Sequence, residues 1–125
     1  AQVVAAAFQV DLDRVKVSAT RTDKVPNTSP TAASSGTDLN GMAALDACEK
    51  IKQRLVEFAA ETYGVSADSV RFENNQVHVG EQQFGCAEFE KQAYMARVSL
   101  SSNGFYSTPK IHYDRETGQG RPFLY

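Results

Sequence analysis

The chain has 125 residues, of which 42% are hydrophobic and 22% charged, with no tryptophan and a formal net charge of -2. That is material for one domain, long enough to bury about two thirds of its extended surface in a real core. Lysine and arginine are scattered and the isoelectric point is near 5.7, so no basic footprint for nucleic acid or an anionic membrane is present. The longest apolar run, residues 3–8, is far too short for a membrane span.

Val3, Val4, Ala7 and Phe8 fall on one face of a short helix. After a turn at residues 11–13, residues 14–20 alternate, with Val15, Val17 and Ala19 to one side and Lys16 and Ser18 to the other. That period predicts a half-buried strand. Residues 24–41 read K-V-P-N-T-S-P-T-A-A-S-S-G-T-D-L-N-G, a long stretch crowded with hydroxyls. Thr37 or Asp38 is expected to cap a helix of about two dozen residues. Its apolar face is Ala44, Leu45, Cys48, Ile51, Leu55, Phe58, Ala59 and Thr62, while Glu49, Lys50, Gln53, Arg54, Glu57 and Glu61 take the solvent side. Gly64 ends it in the left-handed position that glycine favours.

Strands at 70–73 and 76–79 flank Asn74-Asn75, and asparagine tolerates positive φ, so the pair predicts a tight hairpin. Phe84 leads into a second helix over 87–96, with Phe89 and Ala93 on one face. Residues 97–101 alternate Val98 and Leu100 as a further strand. Gly104, Pro109, Gly118, Gly120 and Pro122 make 103–125 an extended, irregular tail. The class is α/β (α+β), a layered sheet with packed helices, and residues 1–125 read as a single fragment of a larger domain. One internal echo stands out: F-Q-V-D-L-D-R-V-K-V (8–17) aligns with Y-G-V-S-A-D-S-V-R-F (63–72). A duplicated helix–turn–strand unit or ordinary connection chemistry explains it.

Cys48 and Cys86 share no C-x-x-C or Cys/His spacing and are expected to be reduced thiols of a cytoplasmic protein. His78 falls at a polar strand position. His112 lies near Asp114, but no nucleophile or third partner stands at a recognisable spacing. Ser34 and Ser35 have no G-x-S-x-G elbow around them. The opening A-Q-V-V-A-A-A-F and the closing P-F-L-Y lack polar, frayed character, and the expectation is a piece of something longer.

The hydroxyl-rich stretch has chemistry of its own. Pro26 and Pro30 stiffen its entry and push Val25 and Ser29 toward extended conformations. Residues 31–37 are all small, so a ligand could come within hydrogen-bonding distance of the main chain. The start of the following helix adds unpaired N–H groups and partial positive charge. An anionic or oxygen-rich ligand suits such a place. On composition alone a capped surface loop is the favoured reading.

Residue order adds to this. V-P-N-T-S-P-T-A-A-S-x-x-x-D-L-N-G (25–41) resembles the molybdenum-binding region of the xanthine dehydrogenase and aldehyde oxidase family. The resemblance is dense over 20–55 and resumes in A-Y-M-A-R-V-S-L-S-S-N-G-F-Y-S-T-P (93–109). It is weaker over 59–92, and T-R-T-D-K-V-P-N-T-S-P-T-A-A-S (20–34) looks most like the bacterial xanthine dehydrogenases. The resemblance implies a large subunit whose pterin-bound molybdenum hydroxylates a purine or aldehyde carbon with oxygen from water.

It places the main chain of Ala33 beside the molybdenum, the methyls of Ala32 and Ala33 along the substrate cleft, and Ser34 in hydrogen bonding to the pterin. Gly36 departs from mammalian relatives, which carry serine there, and can offer only its backbone N–H. The family's catalytic glutamate would lie C-terminal to this region, and its glycine-rich cofactor loops and purine-holding arginine and glutamate N-terminal to it. The resemblance therefore implies no catalytic residue within these 125 positions and no activity for them alone. Their partners would be the rest of the molybdenum subunit, an iron–sulfur and FAD-bearing subunit or domain with 2Fe-2S clusters, and a purine. No nucleic-acid or membrane partner is expected. An aldehyde-oxidising enzyme of the same family and a stand-alone interaction module are the competing expectations.

Overall fold

The computed structural model describes residues 1–21, 23 and 30–121. The prolines' effect on Val25 and Ser29 lies outside the described residues. Helix α1 covers Gln2–Phe8 and a 3-10 turn covers Leu12–Arg14. Six residues of π-helix, Gly36–Gly41, run without a break into α2, Met42–Tyr63. A second 3-10 turn, Ala67–Ser69, precedes strands β1 (Val70–Glu73), β2 (Gln76–Val79) and β3 (Gln82–Gly85). Helix α3 spans Cys86–Met95, and β4 (His112–Tyr113) pairs with β5 (Gly120–Arg121).

The sheet follows from its turn. Asn74 and Asn75 both adopt positive φ, 49° and 61°, the backbone a two-residue hairpin of matching twist requires. Val70 then pairs with Val79 and Phe72 with Val77, and β3 sets Phe84 against Val77. Period two puts these apolar residues on one face and Arg71, His78 and Gln83 on the other. Onto the apolar face pack Leu55 and Ala59 of α2 and Phe89 and Ala93 of α3, all at most 2% exposed. The rings of Phe58, Phe84 and Phe89 tilt against one another at centroid separations of 5.8 and 6.2 Å. The result is the mixed helix-and-sheet layering expected, with α1 lying beside α2. There Lys52 of α2 donates to the Ala7 carbonyl at 3.1 Å and sits 5.3 Å from the Phe72 ring centroid.

Several expectations need correction. Residues 15–20 form no ladder among the described residues, and Val17 is 74% exposed. Residues 97–101 likewise form no ladder. Alternation there records which side chains face the protein, and that is independent of whether a strand lies alongside. The tail is not wholly irregular: Asp114 accepts the N–H groups of Glu116 and Thr117 and so closes the β4–β5 turn. β3 was not foreseen, because Q-Q-F-G carries a single apolar residue.

The echo at 8–17 and 63–72 is structural. At a constant offset of 55, Gln9 and Gly64 are left-handed helix ends, Leu12–Arg14 and Ala67–Ser69 are 3-10 turns, and Val15 and Val70 leave them extended. Val10 N–H donates to Ala5 O and Val65 N–H to Ala60 O. α3 closes the same way, with Arg97 at φ 61° and Val98 N–H on Ala93 O. Each is a six-to-one closure that satisfies an otherwise orphaned carbonyl.

Candidate functional site

The helical run begins at a short turn made of the small residues singled out above. Ala32, Ala33 and Ser34 are all exposed there, together with Thr31. Ala33 sits at φ 53°, a left-handed conformation that costs a residue with a Cβ about 1 kcal/mol. Three hydrogen bonds hold the turn in that shape. Ser35 Oγ donates back to the Ala32 carbonyl at 2.6 Å, Asn40 Nδ2 donates to Thr31 Oγ1 at 2.9 Å, and Leu39 N–H donates to the Ser35 carbonyl at 2.9 Å.

Thr37 and Asp38 do not cap the helix. Ser35 occupies the cap position, its side chain engages the turn behind it, and Asp38 lies in the first turn, where a negative charge complements the helix end. A Cβ on Gly36 would meet only the Thr31 methyl at 3.6 Å. Space does not force glycine at this position, so a serine would fit.

This arrangement suits an oxygen-rich anionic group such as a pterin-bound metal centre. Methyl-sized side chains leave the main chain open, and the helix start presents N–H groups and partial positive charge beside it. Among the described residues no three His, Cys, Asp or Glu side chains stand where they could ligate a metal. What the turn offers is therefore main chain and hydroxyl.

The other residues weighed from sequence lie elsewhere. His78 is on the polar face of the sheet opposite Arg71 and Gln83. His112 is exposed on β4, and Asp114 is engaged in its own turn. Cys48 and Cys86 are free and buried; burial pushes both thiols above their ordinary range, with nearby Glu49 and Glu90 adding to it. Raised thiols of this kind are inert packing groups.

The second family-like segment is tied to the first through α2. Residues 98–105 run antiparallel to that helix toward its beginning. Arg54 Nη1 donates to the carbonyls of Ser99 and Ser101 at 3.2 and 2.8 Å, and Lys50 Nζ to that of Asn103 at 3.3 Å. Phe105 N–H donates to Asp46 Oδ2 at 3.0 Å, and Lys50 donates to the same oxygen at 2.7 Å. Between these anchors Gly104 crosses the helix so closely that a Cβ would lie 1.7 Å from the Ala43 carbonyl oxygen. Lys50 and Arg54, expected to be solvated, instead hold this arm. Their spacing with Asp46, every fourth residue on one helix face, is the signal that could have shown it.

The Lys50 ammonium, followed by the Phe105 N–H, holds the Asp46 carboxyl below its ordinary range. A depressed folded value means the contribution is present above the unfolded value and lost as pH falls through the folded one. The arm is expected to loosen at Phe105 only in acid below the ordinary carboxylate range. Asp46→Asn should leave it loose at neutral pH, with a flat response to acid. Amide exchange at Phe105 across that range, in both proteins, checks the pair of outcomes.

A turn of small residues thus opens the helical run, and a distant arm is fastened along the same helix. Over residues 1–125 the sequence matches the family described as molybdopterin cofactor-binding domain, and the chain belongs to it. It is 45% identical over 113 residues to a xanthine dehydrogenase of Calliphora vicina, covering 90% of this chain and 7% of that protein. With a xanthine dehydrogenase of Dictyostelium discoideum it shares 42% over 127 residues, 99% of this chain and 8% of that one. For a xanthine dehydrogenase/oxidase of Felis catus the identity is 38% over 124 residues, with coverage of 99% and 8%. The chain thus spans less than a tenth of the length of these relatives.

Proposed function

We propose that these residues form one wall of the molybdenum site in a xanthine dehydrogenase-type hydroxylase acting on hypoxanthine or xanthine. The observation carrying this reading is the exposed turn at Ala32, Ala33 and Ser34, held left-handed at Ala33 and set against a helix start. The xanthine dehydrogenase relatives support the substrate class. When bound, the pterin-held molybdenum would supply the transfer of a water-derived oxygen to a purine carbon.

The chain's own residues then have positional roles. With the cofactor bound, the main chain of Ala33 would face the metal's surroundings, the methyls of Ala32 and Ala33 would border the cleft, and the Ser34 hydroxyl would hydrogen-bond the pterin. No acid or base is assigned within residues 1–125, so the isolated segment is expected to be inactive. The rest of the subunit and the 2Fe-2S- and FAD-bearing parts belong to the same proposal. So does a cytoplasmic location, which two buried free thiols favour.

The test is a pair of substitutions in the complete subunit. Ala33→Gly keeps the positive φ and the open main chain and should retain turnover within a few-fold. Ala33→Val places a β-branched side chain where φ is left-handed and the cofactor must approach. Its turnover with xanthine should fall on the order of 100-fold, as for misplacement of reacting groups, with lowered molybdenum content. Normal metal content and normal xanthine hydroxylation in the valine variant would overturn the assignment.

A further inference from the structure

The turn at residues 32–35 is under two kinds of constraint. The bonds from Ser35 Oγ to the Ala32 carbonyl and from Leu39 N–H to the Ser35 carbonyl join residues within 32–39. They fix the turn's shape. The bond from Asn40 Nδ2 to Thr31 Oγ1 is different, because it starts beyond the turn and ends ahead of it. Among the described residues no other hydrogen bond reaches from ahead of the turn into the helical run. Shape is set within the turn, and orientation on the helix start is set through Asn40.

Both branches of the Thr31 side chain meet the helical run. Its methyl lies 3.6 Å from where a Cβ on Gly36 would stand, and its hydroxyl accepts from Asn40. A β-branched side chain engaged on both branches is confined to one rotamer. Thr31 stands two residues ahead of Ala33, so what holds the one places the other.

Asn40 stands on firm ground. Its neighbour Gly41 lies against α1, where a Cβ would come 3.6 Å from a Val3 methyl. The direction of Asn40 is set by the π-helix Gly36–Gly41, which ends where Met42 N–H donates to the Asp38 carbonyl and α spacing resumes. Bonds to the fifth residue, in place of the fourth, accommodate an extra residue in the ladder. With α spacing throughout, that residue would drop out, and the chain ahead of it would turn by about 100° around the axis. Thr31 and Asn40 would then no longer meet. Single π turns joined to α-helices frequently occur at functional sites.

We propose that Asn40 is a positioning residue of the site, setting through Thr31 how the main chain of Ala33 and Ser34 is presented beside the helix start. This deepens the molybdenum-site reading and rests on it. The role is orientation, with no contact from Asn40 to cofactor or purine.

The experiment compares variants of the complete subunit. Asn40→Ala removes the donor and suits a helix; Thr31→Val removes the acceptor at nearly constant shape. Either lowers turnover with xanthine about tenfold, the worth of one hydrogen bond, and bound molybdenum per subunit falls with it. Melting temperatures stay close to that of the unaltered subunit, because the bond is exposed. The two substitutions together lose no more than either alone, as expected of a pair acting as a unit. Thr31→Ser, which keeps the hydroxyl, restores turnover and metal content. Unchanged turnover and metal content in both single variants would overturn the proposal. So would losses that multiply in the double variant, or a serine variant as impaired as the valine one. Loss in Ala33→Val without loss in Asn40→Ala sinks only the role of Asn40. No loss in Ala33→Val sinks the reading of the site itself.

Discussion

Gly104→Ala in the complete subunit is expected to destabilise it by about 3 kcal/mol, the upper end of ordinary overpacking costs. The added methyl would sit 1.7 Å from the Ala43 carbonyl oxygen and 2.9 Å from the Ala47 nitrogen. Both neighbours are helix backbone, which cannot step aside as a side chain can. The arm must lift instead, and lifting it breaks the bonds from Lys50 to Asn103 and from Phe105 to Asp46. A lowered melting temperature and protease cleavage near residues 99–105 are the expected signs. An unchanged melting curve would mean that the arm does not cross α2 at Ala43.

The second large effect is expected at Asn75, which joins the N-terminal unit to the hairpin. Its N–H donates to the Gln9 carbonyl, and its carbonyl accepts from Cys86 N–H. Its side chain accepts from Asp11 N–H at 2.7 Å and donates to Asp11 Oδ2 at 2.9 Å. Asn75→Gly keeps the positive φ but loses both side-chain bonds, at a cost of about 2 kcal/mol. Asn75→Asp keeps the shape and acceptor but replaces the donor with a carboxylate facing that of Asp11. It should cost at least as much at neutral pH and recover part of the loss in acid, where repulsion between facing like charges is relieved. Melting curves of both variants at neutral and acid pH separate the bond loss from the charge repulsion. Equal, pH-independent losses would show that repulsion between the two carboxylates plays no part.

What could be read from sequence was local. Asn74-Asn75 specified the hairpin because few residue pairs tolerate two positive φ values, and Gly64 marked a helix end for the same reason. The apolar stripe of α2 specified its buried face, as Leu55 and Ala59 show. Pairing was not legible: residues 14–20 and 97–101 have a strand's alternation, and nothing in a period states what lies alongside. The role of Lys50 and Arg54 was hidden for a similar reason, since their acceptors lie 45 to 53 residues away. At the candidate turn, small residues signalled open main chain. The left-handed backbone at Ala33 could not be foreseen, because alanine has no preference for it.

The ladder of Asp46, Lys50 and Arg54 makes α2 a measuring rod for the arm. One residue inserted between Ala43 and Arg54 would turn everything beyond it by about 100° around the helix axis. The crossing at Gly104 and the grips on Ser99 and Ser101 could then no longer be met together. Changes of chain length are therefore excluded from this helix and better borne by turns such as residues 114–119, whose hydrogen bonds at Asp114 are local.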